Sequence, residues 1–190
     1  MSLRPQFEEF VRLADATRAK AAKVKPLSAA KLTWSPAEDR WSVARVLDHL
    51  NKTHALCIPN FEAALLSASP AGTERDRLVK YGFMDRVFVK MMGPTFPIKP
   101  PVPPMFEPDQ APDPKEAVRR FFELHDKLRA LIEKADAYQL AKLKVVSPVS
   151  PKFRPGFVPY LHSLVLHEEY HWGQIEALLA DPRFPKSKIA

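Results

Sequence analysis

Apolar residues recur at three- and four-residue intervals along four separate stretches of this chain, the spacing that gives an α-helix one apolar face. Proline, which a helix interior tolerates poorly, falls almost wholly between those stretches or in their first turns. With 20 prolines against five glycines, the composition suits long helices joined by stiff loops better than a glycine-turned β-sandwich. The first stretch runs from about Arg4 to Val24, with Phe7, Phe10, Val11, Ala14, Thr17 and Ala21 on one side. The second opens at Ser42, a helix N-cap directly after Trp41. It carries Val43, Val46, Leu47, Leu50, Thr53 and Cys57, and continues through Phe61, Ala64 and Leu65 to about Ser67. Pro59 inside it predicts a kink or an interruption. The third starts with Asp113 as N-cap and Pro114 in the first turn, and runs to about Ala135. The fourth begins near Pro159 and ends at Asp181-Pro182. Neither an internal repeat nor a linker divides the chain. Residues 1–190 therefore read as one all-α domain, a four-helix bundle with long crossover loops.

From Pro94 to Pro114, nine of 21 residues are proline, so this segment is expected to be extended or polyproline-like. A short helix around Asp76–Met92 is expected before it. A stretch of this kind serves as a rigid crossover and, where it lies across the bundle, as a lid or pocket wall.

The net charge of +7 raises nucleic acid as a partner. The bases are interleaved with acids, as in Glu74-Arg75-Asp76-Arg77, and no stacking pattern of aromatics accompanies them. A solvated basic surface is the preferred meaning, and nucleic acid is disfavoured. No apolar run approaches the roughly 20 residues of a membrane span. The N-terminal stretch lacks the apolar centre of a signal peptide. One cysteine, Cys57, excludes an internal disulfide and fits a reducing compartment. A cytoplasmic protein without membrane partners is expected.

The chemistry-bearing feature is His167-Glu168-Glu169-Tyr170-His171. Histidines four residues apart share a helix face, roughly 5–6 Å apart at Cβ, and can grip one ion together. Their face is apolar, running through Leu164, Ile175 and Leu178. Two imidazoles buried there need partners, either other side chains or a shared metal. His49 borders the apolar stripe of the second helix and can supply a third imidazole from across the bundle. The segment also satisfies the HExxH pattern of metallopeptidases, but Gln174 and Ala177 stand where the extended pattern needs Gly and His, so a peptidase is disfavoured. Glu168 lies about 100° round the helix from His167, which leaves it a base or supporting role. His125, on the apolar stripe of the third helix, is either an acid/base or fourth ligand, or a core histidine with a polar partner. His54 and His162, each five residues from a candidate ligand, are expected to lie outside the site. Cys57 is expected to act as a small buried apolar residue rather than a thiolate. Trp34 and Trp41 are expected as packing anchors, and Trp172 as an off-stripe ring suited to a dimer interface.

Trp41-Ser42-Val43-Ala44-Arg45-Val46-Leu47-Asp48-His49-Leu50 resembles the second-helix motif of the DinB-like (DinB/YfiT) superfamily of metal-binding four-helix bundles. His167-x-x-x-His171-x-x-Gln174-Ile175 resembles that family's fourth-helix motif, and the likeness spans about Trp34 to Ala180. The resemblance implies a divalent ion, often zinc or nickel, on His49, His167 and His171 with open coordination sites. It also implies homodimers, and in some members transfer or isomerisation reactions that use small thiols. The 94–114 segment departs from the family pattern. The expected function is a metal-dependent hydrolase or thiol-dependent transferase acting on a small-molecule substrate, with Glu168 or His125 carrying protons. The rival is a non-catalytic stress-response protein with a structural ion, and a helical nucleic-acid binder comes third.

Overall fold

A computed structural model describes residues 3–72, 78–97 and 100–186. Among these residues there are six α-helices, and β-structure is confined to isolated bridges. They are α1 (Pro5–Ala21), α2 (Ala29–Thr33), α3 (Val43–Leu65), α4 (Phe83–Met92), α5 (Pro114–Ala135) and α6 (Phe157–Ala180). The all-α expectation holds: beyond the four long helices there are two short ones, α4, which falls within the short helix expected around Asp76–Met92, and α2, which was not expected. The four long helices close a ring in which α3 packs on α5, α5 on α1, α1 on α6 and α6 on α3. The additional helix α4 lies against α6.

Local chemistry sets most of the boundaries. The Ser42 side chain accepts from the Arg45 N–H, and the Asp113 side chain from the Glu116 N–H, each satisfying an orphan donor of a first helical turn. Ser28 caps α2 in the same way, inside what the sequence presents as loop. Pro59 does not interrupt α3. Its ring faces solvent, while Ile58, Phe61 and Leu65 are buried on either side and carry the helix across the missing hydrogen bond. Helix α6 starts at Phe157, two residues before Pro159, since a proline in the first turn gives up only an N–H that has no helical acceptor. Gly156 precedes it, where a Cβ would come within 3.0 Å of the Pro159 ring. The short helix expected around Asp76–Met92 begins at Phe83. Residues 76 and 77, with the charged run from Glu74 to Arg77, lie outside the described residues.

Two apolar clusters occupy opposite ends of the ring. One gathers Phe7 and Phe10 of α1, Phe61 and Leu65 of α3, Leu128 and Ile132 of α5, and Phe157 and Leu161 of α6. The other gathers Ala21, Val43, Leu47, Phe121, Trp172 and Ile175. Their membership fixes the directions: α1 and α6 run one way, α3 and α5 the other. Because α3 and α5 are parallel, the chain between them must return the length of the bundle, which is why this crossover is long. Trp172 is 1% exposed and meets Phe121 edge-on at 5.5 Å between ring centres, so it is a core residue and not a free dimer face.

The first cluster's end is locked by Arg4 and Asp136, both almost fully buried and 2.7 Å apart. The Arg4 guanidinium also donates to the carbonyls of Ala135, Asp136 and Tyr138. A cation thus meets the carbonyl end of α5, where the helix dipole is negative.

Candidate metal centre

The middle of the bundle, between the two apolar clusters, is polar. His49 of α3 and His171 of α6 are 3% and 4% exposed, and His167 is half-buried. One ring nitrogen from each of the three lies within 4.8 Å of the others. The Nε2 atoms of His49 and His167 are 3.0 Å apart.

Two of the three rings are held from behind. His49 Nδ1 is 2.7 Å from the carbonyl oxygen of Phe106, which can only accept, so Nδ1 carries the proton and Nε2 presents a lone pair. His171 Nδ1 donates to Gln174 Oε1 at 2.7 Å, and the Gln174 amide donates in turn to the Tyr170 hydroxyl at 3.0 Å. This is the arrangement that supports imidazole ligands in metal sites, with the outer N–H satisfied and the inner nitrogen aimed. Burial holds the His49 imidazole below its ordinary pKa, against the hydrogen bond to Phe106, and so favours the neutral form that a ligand requires. With the His49 Nε2 lone pair facing it at 3.0 Å, His167 Nε2 either donates to that lone pair or shares a cation with it. The donor set therefore fits a divalent ion, and three imidazoles suit zinc, nickel, copper and iron alike.

Phe106 belongs to the proline-rich crossover, and its place is fixed by charge. Lys52 of α3 donates to the Glu107 carbonyl and to Asp109, while Asp48 accepts from the Asp109 N–H. Among the described residues from 100 to 113 the segment carries one 3-10 turn, at Pro104–Phe106, and Pro101, Val102, Pro103 and Phe106 form one wall of a cavity of about 1190 Å³. Crossover and pocket wall are the same structure.

Glu168 and His125 fall elsewhere. Neither lines the cavity. Glu168 is fully buried, with His125 Nδ1 at 3.0 and 3.1 Å from its two oxygens and His54 Nε2 at 3.3 Å from one of them. Burial opposes charge on Glu168, but the charges of His125 and His54 and the hydrogen bond from His125 hold its carboxyl below the ordinary range. Burial likewise pulls His125 down and is outweighed by Glu168, so that imidazole titrates above its usual value. Burial holds His54 below its ordinary value, against the pull of the Glu168 charge. The roughly 100° between His167 and Glu168 turns the carboxylate away from the triad and toward α3 and α5. His125 is the core histidine with a polar partner. His162 is also outside the site, beside Phe10 and the Tyr81 hydroxyl.

Some participants escape sequence reasoning. Trp41 is more than a packing anchor, since its ring lies 5.1 Å from His49 and is stacked at 6.2 Å on His171. The Phe106 carbonyl is invisible because backbone groups leave no residue signature. Gln174 stands in the fourth-helix motif read from the sequence, but its bond to His171 is not assigned there, although a residue three positions on shares the helix face. Cys57 lines the cavity, 3.3 Å from the Tyr160 hydroxyl, and burial pushes its thiol up to about 11, so it is no thiolate at neutral pH.

The family model described as DinB superfamily matches residues 13–175. Comparison with curated proteins and with solved structures gives no match.

Proposed function

The chain belongs to the DinB superfamily, and on that premise we propose that it is a metal-dependent enzyme acting on a small molecule by hydrolysis or thiol transfer. The observation that carries this reading is the position of the triad. Its three nitrogens converge on the wall of a large cavity, where an ion would meet both protein and incoming substrate. Zinc or nickel is the proposed ion, held by His49, His167 and His171. When bound, it supplies Lewis-acid chemistry that makes a water or a thiol nucleophilic at neutral pH. The protein's own residues do the rest. Phe106 and Gln174 hold His49 and His171 in the tautomer that points Nε2 inward. Trp41 covers two of the rings and keeps water from their flank. Glu168, clamped by His125 and His54, fixes the rotation of α6 that presents His167, so we assign Glu168 and His125 a positioning role in place of proton transfer.

No helix among the described residues is long and apolar enough to cross a membrane. A cytoplasmic location and a homodimer complete the reading, the first supported by the single free Cys57 and the second by the motifs' resemblance to a family in which homodimers are common. Elemental analysis of the purified protein beside His49→Ala and His171→Ala variants tests it. Near-stoichiometric divalent metal is expected in the wild type, with large losses in both variants. Unchanged metal in either variant would remove that residue from the site, and a metal-free wild type in metal-replete medium would end the proposal.

A further inference from the structure

The cavity is longer than the triad needs. On α3 it is lined by Val46, His49, Thr53 and Cys57, and on α6 by residues from Tyr160 to Leu178. Cys57 is eight residues beyond His49 and Tyr160 is seven before His167, so the two helices flank a trench of ~10–12 Å leading away from the triad. Its far end is marked by the Cys57–Tyr160 contact. Phe88, Met91 and Met92 of α4 wall this arm, with Val102 of the crossover and Phe153 of the loop before α6.

The lining is asymmetric. The charged residues that touch the cavity, Asp39, Arg40 and Asp181, come from the loop before α3 and the end of α6, on the other side of the triad from Cys57 and Tyr160. The arm toward Cys57 has no charged wall residue among those described. At about 1190 Å³ the cavity exceeds the roughly 300–1,000 Å³ typical of drug-sized ligands, so a small electrophile alone would leave most of its wall uncovered. Methionines at the wall can adapt to a flexible chain.

From this shape we infer that the substrate is an amphiphile. Its polar reactive head meets the His triad, and a linear apolar tail of roughly eight carbons, enough to follow most of the ~10–12 Å trench, lies between α3 and α6 under α4. The inference rests on the metal reading for the head and on the trench alone for the tail.

Linear alkyl hydroxamates from two to twelve carbons, titrated calorimetrically into metal-loaded protein, separate the two. Affinity is expected to rise about three- to fourfold per methylene up to roughly eight carbons, and then to level off. Met91→Trp, on half-exposed α4 surface, should keep the metal content and the affinity for acetohydroxamate while flattening that rise. Cys57→Met, at the far end, should move the plateau to shorter chains. A metal-loaded protein that binds acetohydroxamate with no dependence on chain length would overturn the tail and leave the metal site standing. A wild type that takes up no metal in metal-replete medium but binds 1-octanol more tightly than 1-butanol, with Met91→Trp erasing the difference, would keep the tail and sink the metal reading.

Discussion

Gln174 sits one helical turn beyond His171, near enough to accept the hydrogen bond from Nδ1 and so to decide which nitrogen faces inward. Losing that acceptor leaves the imidazole free to turn or to change tautomer. Gln174→Ala is therefore expected to weaken metal affinity by about 10- to 100-fold with little change in the fold, measured by competition with a chromophoric chelator. An unchanged affinity would show that the bond to Gln174 does not orient the ligand. Glu168 shows the opposite logic. Its carboxylate is next in sequence to His167, yet the helical rotation hands it to His125 and His54. Sequence proximity is a poor guide to shared chemistry when each residue turns the helix by about 100°.

At the scale of elements, the packing depends on a few buried polar ties as well as on apolar faces. Arg4 joins the start of α1 to the carbonyl end of α5, and Asp136 neutralises it there. Breaking one side of a buried ion pair leaves a charge without a partner. Arg4→Ala is expected to destabilise the protein by about 3–5 kcal/mol in urea unfolding, while Arg12→Ala, in an exposed and solvent-screened pair with Glu9, is expected to leave the unfolding midpoint nearly unchanged. Equal, small effects would mean that the α1–α5 tie contributes little. The boundaries of α3 and α5 were legible because Ser42 and Asp113 act within their own first turns. The starts of α4 and α6 were less so, because Pro159 reads as a boundary when it is a first-turn residue.

For the whole molecule, an ion on the triad would link α3 to α6 at the level where the apolar core is interrupted by polar residues. Binding to the folded state alone stabilises it by mass action, by about 2.7 kcal/mol at a free metal concentration 100 times the dissociation constant. For a chain of this size each kcal/mol moves Tm by about 2–4 °C. Chelation is therefore expected to lower Tm by roughly 5–10 °C in the wild type, and to leave His49→Ala unmoved. A shift of equal size in that variant would place the stabilising ion elsewhere.

Local interactions are what the amino-acid sequence determined by itself. The periodic apolar faces set the long helices, Ser42 and Asp113 set two of their starts, and the four-residue spacing set His167 beside His171. Each of these depends on groups within about one turn of one another, so the order of residues suffices. The approach of His49 to within 3.0 Å of His167, the Phe106 carbonyl behind it, the Glu168–His125–His54 cluster and the trench toward Tyr160 were decided by tertiary structure alone. They depend on how each helix is rotated about its axis and on the parallel run of α3 and α5, which draws the proline-rich crossover across the site. Periodicity gives a helix its face but leaves open which faces meet, and that choice is made only when all four helices bury their apolar sides together.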